Sequence, residues 1–539
     1  MDLRLRLQGW LETTSPLHVG GIAADPAEVL PIAVDGRERL YVPGTSIAGA
    51  FRAWMEGADT SGQQLREFWG YAEDAGAGQA SRVVVRDALL AARVGEDDEG
   101  QAAHPLEVTD LAVRDGVGID RVTGAAAPGF LYARTVVPSG FYLRLELDIE
   151  VEQQHLERDR ARLAALIAAL RGERVRLGAA NRKGLGKVKL LDEPLEVREH
   201  DFTSRKGLLD FVRGKAKENV PSDSSKADLP DAREILGIEI GWEPTAPVMV
   251  RDGREGAIVK TLPQTTRVGP HELALTLPGS SIKGALRSHA EFVERTVRGT
   301  DAPDARKQHG DKATAADFSA AFLEQLDELD AVRALFGSAR VDETKETAAP
   351  RSAGHPEHRW GSAALTVEDC VSEVVIDPAS WEKVVSGEPG AEPPKEDTSG
   401  AGERPKLDPI IREKLHGKGL DQADHVAIDR WTGGAAEHLL FSVLEPHGVA
   451  WNPIRLEVDL TRLGAYRDSA LALLMIVLRD LKARRVPLGG MVTRGFGDIE
   501  VRSVDFTGGP WTNLEQALGD GRLAAAWERY WNCSMKETA

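Results

Sequence analysis

Tyr41–Arg52 reads YVPGTSIAGAFR, and Thr276–Arg287 reads TLPGSSIKGALR. The two prolines, Pro43 and Pro278, stand 235 positions apart. In each stretch a stiff proline precedes small and hydroxyl residues, then an apolar run with an arginine about two turns in. This pattern predicts a turn followed by a helix, with Thr45 or Ser46 capping the first copy. A helix start offers N–H groups to an anion.

The repetition extends outward from this sentence in the same order. Gly9–Gly21 (GWLETTSPLHVGG) resembles Gly241–Gly253 (GWEPTAPVMVRDG), and Gly118–Ala126 (GIDRVTGAA) resembles Ala427–Ala435 (AIDRWTGGA). Arg144–Asp148 (RLELD) matches Arg455–Asp459 (RLEVD), and Leu177–Val188 (LGAANRKGLGKV) matches Leu488–Ile499 (LGGMVTRGFGDI). The offset grows from 235 at the proline motif to 309 at IDR and 311 at the last glycine motif. The chain therefore reads as two copies of one unit, the second carrying roughly 75 more residues between its first and second motifs. Ser386–Lys418, rich in Gly, Pro, Glu and Lys, is the expected site of that insertion.

This organisation places a first unit at 1–195, a charged connector at 196–235, and a second unit at 236–507 with an insertion around 338–424. A helical tail follows at 508–539. Within the first unit, Leu3–Leu11 alternates like a strand, as do Ser81–Leu90 and Phe141–Glu150. Helices are expected from Ala48 to about Glu56 and over Arg160–Leu170, with a strand pair around a glycine loop at Arg174–Leu191. Strand, helix, strands, helix, strand is the order of a ferredoxin-like, RRM-like unit, so the expected class is α+β with two tandem units.

Composition sets bounds. The chain has 539 residues, 42% hydrophobic and 28% charged, a globular balance. No apolar run is long enough to span a bilayer, and the N-terminus reads as a strand, not a signal peptide. Two cysteines, Cys370 and Cys533, exclude a disulfide framework and a four-cysteine zinc site, and suit a reducing cytoplasm. His355, His358 and Cys370 fit no common zinc spacing. The net charge of −18, taken alone, argues against a nucleic-acid binder, but it leaves open a local basic groove.

The motifs are more specific together than apart. The first-strand segment, PGTS/PGSS, Phe68-Trp69-Gly70 or Leu335-Phe336-Gly337, IDRxTG and the GlGK-type loop, in that order, resemble the RAMP superfamily of CRISPR-associated proteins. The likeness covers most of both units. More narrowly, the chain looks like a fused double backbone subunit of a type III, III-D-like, RNA-targeting complex. The resemblance implies two palms along one guide RNA, each with an inserted hairpin thumb that splays a nucleotide of the guide–target duplex. It places His18, Ser46, Arg52, Arg121, Arg182 and Lys183 of the first copy at RNA. In the second copy it places Ser280, Lys283, Arg287, Arg430, Trp431 and Arg494 there.

The resemblance further implies target-RNA cleavage through attack of a 2′-hydroxyl, dependent on a divalent metal, Mg2+ or Mn2+, with an aspartate after the first strand. Asp25 in GGIAADPAEVLP fits that place as catalytic residue and metal holder, with Glu28 the one competing acid nearby. In the second copy the register falls on Gly256 or Ala257, and the nearest acids are Asp252 and Glu255, so that copy departs from the pattern. Implied partners are guide RNA, target RNA, further backbone subunits, and capping, small and large polymerase-like subunits, with no membrane. Three alternatives stay open: a non-catalytic scaffold of the same complex, a ferredoxin-like ligand sensor without RNA, and guide processing. The last is disfavoured because no histidine recurs at matching places.

Overall fold

A computed structural model describes residues 2–21, 29–59, 61–72, 78–97, 101–218, 227–269, 272–338, 362–386 and 407–537. Asp25, Glu28, His355, His358 and most of the Ser386–Lys418 loop lie outside the described residues. The chain forms two compact units. The first is Met1–Arg114 with Ala133–Arg233, and the second is Asp115–Tyr132 with Glu234–Ala539. The architecture is mixed α/β.

In the first unit, alternation along Leu3–Thr13 buries Leu3, Leu5, Leu7 and Leu11. This strand pairs antiparallel with Tyr142–Val151 on one side and Glu196–Asp201 on the other, in the register Leu7↔Leu147 and Leu7↔Val197. Ala88–Ala91 and Tyr41–Val42 extend the sheet. The helix Leu156–Arg171 and the PGTS helix, Gly44–Met55, contribute Leu163, Leu166, Ile47 and Phe51 to the same core. The stretch Ser81–Leu90 is two short strands, Val83–Val85 and Ala88–Ala91, interrupted at Arg86-Asp87.

In the second unit, Ile235–Pro244 occupies the matching central place, between Ile454–Asp459 and Ile499–Thr507. It buries Leu236, Ile238, Ile240 and Trp242 by the same alternation. The PGSS helix, Gly279–Arg298, and the helix Arg467–Lys482 fill its core. The tail helix Gly521–Glu537 packs on both of them.

The extra residues of the second copy are not confined to the Gly/Pro-rich loop. Pro278 and Gly337 are 59 positions apart, whereas Pro43 and Gly70 are 27 apart. The added stretch forms the helices Ala305–His309 and Ala315–Asp327, the latter opened by a Thr314/Asp317 capping box.

Candidate nucleic-acid interface

Each PGTS/PGSS helix begins against the backbone of a neighbouring strand. A Cβ on Gly44 would lie 2.3 Å from the Val85 carbonyl, and one on Gly279 would lie 2.2 Å from the Val367 carbonyl. Only glycine permits that approach. The expected hydroxyl caps do not form: Pro43 and Pro278 hold the N-cap places, with no side-chain cap. Instead Asp87 Oδ1 accepts the Gly44 N–H at 2.7 Å, and Asp369 Oδ1 accepts the Gly279 N–H at 2.8 Å. A carboxylate already sits at each helix start, where the dipole favours it. The sequence signal for it was present, because ValArgAsp at 85–87 and ValGluAsp at 367–369 stand in the same place before the next strand.

The arginine inside each helix faces its own unit. Arg52 Nε donates to Glu56 at 2.7 Å, and its Nη1 lies 3.3 Å from the Gly70 carbonyl. Arg287 repeats this, to Glu291 at 2.7 Å and to the Gly337 carbonyl at 3.1 Å, and adds the Leu326 carbonyl at 2.7 Å. The Phe-Trp-Gly and Leu-Phe-Gly turns are thus clasped by these arginines, with Gly70 and Gly337 both at positive φ. Burial lowers the Arg287 pKa from the ordinary guanidinium value, against the pull of Glu291. Lys283 is also turned inward: its Nζ donates to the Leu365 carbonyl at 2.6 Å. Ser46 is half-buried, and Ser280 is exposed.

The glycine loops share one backbone design. The Ala179 N–H donates to the His18 carbonyl at 2.8 Å, and the Gly490 N–H to the Met249 carbonyl at 2.8 Å. Gly178 (φ +74) and Gly489 (φ +85) leave no room for a side chain, since a Cβ would lie 2.2 and 2.4 Å from those carbonyls. Each loop closes with a short 3-10 turn, Asn181–Lys183 and Val492–Arg494. Lys183 and Arg494 are exposed, and Arg182 is half-buried. His18 is buried, and its Nδ1–H donates to the Thr135 carbonyl at 2.7 Å. Burial lowers its pKa, with Arg134 acting in the same direction and the Thr135 hydrogen bond opposing.

The two IDRxTG tips have the same turn and different surroundings. Asp120 accepts the N–H groups of Val122 (3.0 Å) and Thr123 (2.7 Å). Asp429 accepts those of Trp431 (2.9 Å) and Thr432 (2.7 Å). Burial pushes the Asp120 carboxyl up, but hydrogen bonds from Thr123 and Gln325 outweigh it and hold the group below its usual range. The Thr432 hydrogen bonds hold Asp429 down as well.

Arg121 does not project from its tip. Its Nε donates to Glu291 Oε2 at 2.6 Å, so one carboxylate, 1% exposed, holds both Arg121 and Arg287. Gln325, also buried, accepts the Arg121 N–H at 3.0 Å and donates to Asp120 Oδ2 at 3.0 Å. Phe130 meets Phe322 edge-on, with centroids 4.6 Å apart. Arg430, by contrast, is exposed, and Trp431 is 96% exposed.

The second-copy acids do not form a metal set. Asp252 accepts the Arg254 N–H within its own turn at 2.9 Å, and Glu255 pairs with Arg251 at 2.8 Å. Asp115, which lies outside the repeated motifs, sits against Gly253: a Cβ there would fall 1.8 Å from its Oδ2. Among the described residues no group of three or more His, Cys, Asp or Glu converges. Cys370 is buried and donates to the Asn452 carbonyl at 3.1 Å, and burial pushes its thiol up to about 12, which disfavours the metal-binding thiolate. No helix among the described residues is long and apolar enough to cross a membrane.

No curated protein matches the chain. The model of the RAMP superfamily matches residues 10–189 and 265–500, the two copies in turn. With both of its repeats matched by that model, the chain belongs to the RAMP superfamily, as a fused double member.

Proposed function

We propose that the chain is the double backbone subunit of a type III CRISPR effector complex, holding a guide RNA and its target along two ferredoxin-like palms in series. The observation that carries this reading is the duplicated geometry. The glycine-started helix and the cation-tipped glycine loop recur with the same hydrogen bonds. The exposed cations Lys183 and Arg494 and the exposed Ser280 are the candidate phosphate contacts, with the half-buried Ser46 and Arg182 as further candidates. Arg52, Lys283 and Arg287 act one step back, by fixing the helix that carries the serines. The second tip, with Arg430 and Trp431, is the one that inserts into the duplex.

Cleavage is assigned to the first unit, through Asp25. The carboxylate would act on the attacking 2′-hydroxyl or hold Mg2+ or Mn2+, at a phosphate splayed for in-line attack. The described residues alone do not supply a set that fits the metal. The engaged states of Asp252 and Glu255 favour a second unit that binds without cutting. Capping, small and large polymerase-like subunits, and further backbone subunits, are the partners of this reading.

Purification from the native host with sequencing of the associated RNA tests it. Short RNAs of uniform length sharing one repeat-derived end are expected. Random host fragments, or no RNA, would overturn it in favour of a ligand-sensing protein. With the assembled complex, Asp25→Ala should abolish cleavage at one set of positions while leaving target binding intact. Unchanged cleavage at every position would leave a non-catalytic scaffold.

A further inference from the structure

The second glycine loop ends on a stack of planar groups. The Arg494 guanidinium lies over the Phe441 ring, 4.7 Å from its centroid. Phe441 stands directly across from His425 in the second hairpin, Leu420–Ile428 paired antiparallel with Ala435–Pro446, with centroids 5.3 Å apart and planes 14° from parallel. Glu445 fixes that imidazole: His425 Nε2 is 2.6 Å from Oε1, while Oε2 holds His447 Nε2 at 3.0 Å. Phe441 and Met491, at the loop's left-handed position, both pack against the buried group Met249, Val443 and Phe496. Arg494 itself is exposed and, among the described residues, has no carboxylate partner.

An exposed arginine ordinarily samples many rotamers, and ordering it on binding is unfavourable. A ring beneath the guanidinium removes much of that disorder and leaves the planar fork presented outward. We propose that Phe441, backed by His425, is a positioning residue that holds Arg494 as a preformed clamp for an RNA phosphate. This rests on the RNA-binding reading above. The first repeat has Lys183 at the matching place, and an ammonium has no planar fork to orient. The two loops would then grip the same polymer with different strength.

The test uses the full chain, stripped of nucleic acid by high salt, and a fluorescently labelled polyuridine RNA titrated over a salt series. Arg494→Ala should weaken binding and lower the slope of log affinity against log salt by about one. Phe441→Leu should weaken binding about two- to fivefold, the size of an exposed cation–ring contact. In an Arg494→Ala background Phe441→Leu should add nothing further. Additive losses in the double variant, or no loss from Phe441→Leu in a chain whose melting curve is unchanged, would overturn the positioning role. RNA binding that survives Arg494→Ala with its salt slope intact would overturn the clamp alone. Failure of the unmodified chain to bind RNA would bring down the functional reading with it.

Discussion

The two hairpins carry nearly the same tip, Ile-Asp-Arg-x-Thr-Gly, and close it with the same pair of N–H bonds to the aspartate. Yet one arginine is a half-buried latch on a buried carboxylate and the other an exposed cation. The turn is local chemistry, so equal sequence produces equal turns. The fate of the arginine depends on residues far along the chain. The helix Ala315–Asp327, which has no counterpart in the first copy, brings Phe322 and Gln325 to the first tip, and Glu291 completes the pocket. Duplication supplied two similar tips, and an insertion turned one of them into part of the scaffold.

The largest effect should come from Glu291→Ala. It would leave Arg121 and Arg287 without their common carboxylate, and the chain should lose about 3–5 kcal/mol in a denaturant titration. The matching Glu56→Ala breaks a partly exposed pair and should be worth about 0–1 kcal/mol. Equal losses would dissolve the contrast between the copies. Next, Gly44→Ala and Gly279→Ala should each destabilise by about 1–3 kcal/mol, because both Cβ atoms would strike a strand carbonyl. Here the copies should agree, and a disagreement would show that one helix start can shift.

His18 sharpens the comparison through pH. Its pKa is lowered in the folded state, so the unfolded chain binds the proton first. Stability should therefore fall as pH drops below about 6.5, the unperturbed histidine value, toward the lower folded value. His18→Gln should reduce that slope and leave the part due to buried His200, whose pKa burial also lowers. The second copy has buried Met249 at the matching place, so that place contributes no such slope. The smallest effect on stability belongs to Arg430→Ala, within about 0.5 kcal/mol by thermal melting, while target-duplex affinity falls. A cost comparable to that of Arg121→Ala would mean that the second tip is also packed.

The duplication, the order of its motifs, the alternating strands and the two main helices of the first unit were all legible in the sequence, because each is written in local periodicity or in recurrence. Leu3–Thr13 extends the expected strand by two residues, and the expected helix over Arg160–Leu170 runs from Leu156 to Arg171. The glycine loops were legible as close approaches, and the structure supplies the carbonyls they approach, those of His18 and Met249. The helix caps differ from the sequence expectation. Thr45 and Ser46 have the right chemistry, but Gly44 sits so tightly on the strand that Asp87, 43 residues on, reaches its N–H instead.

What the sequence determined by itself is a RAMP chain written twice, because recurrence and short-range pattern need no third dimension. Which cations face solvent was decided by tertiary structure alone. Arg52, Lys283, Arg287 and Arg121 read as binding residues in one dimension, and all four donate to carboxylates or carbonyls of distant segments. Arg494 reads as one loop cation among several, and only the folded chain sets it on Phe441. A charged side chain's role depends on what desolvates and pairs it, and those partners lie up to 170 positions away, as Glu291 does from Arg121.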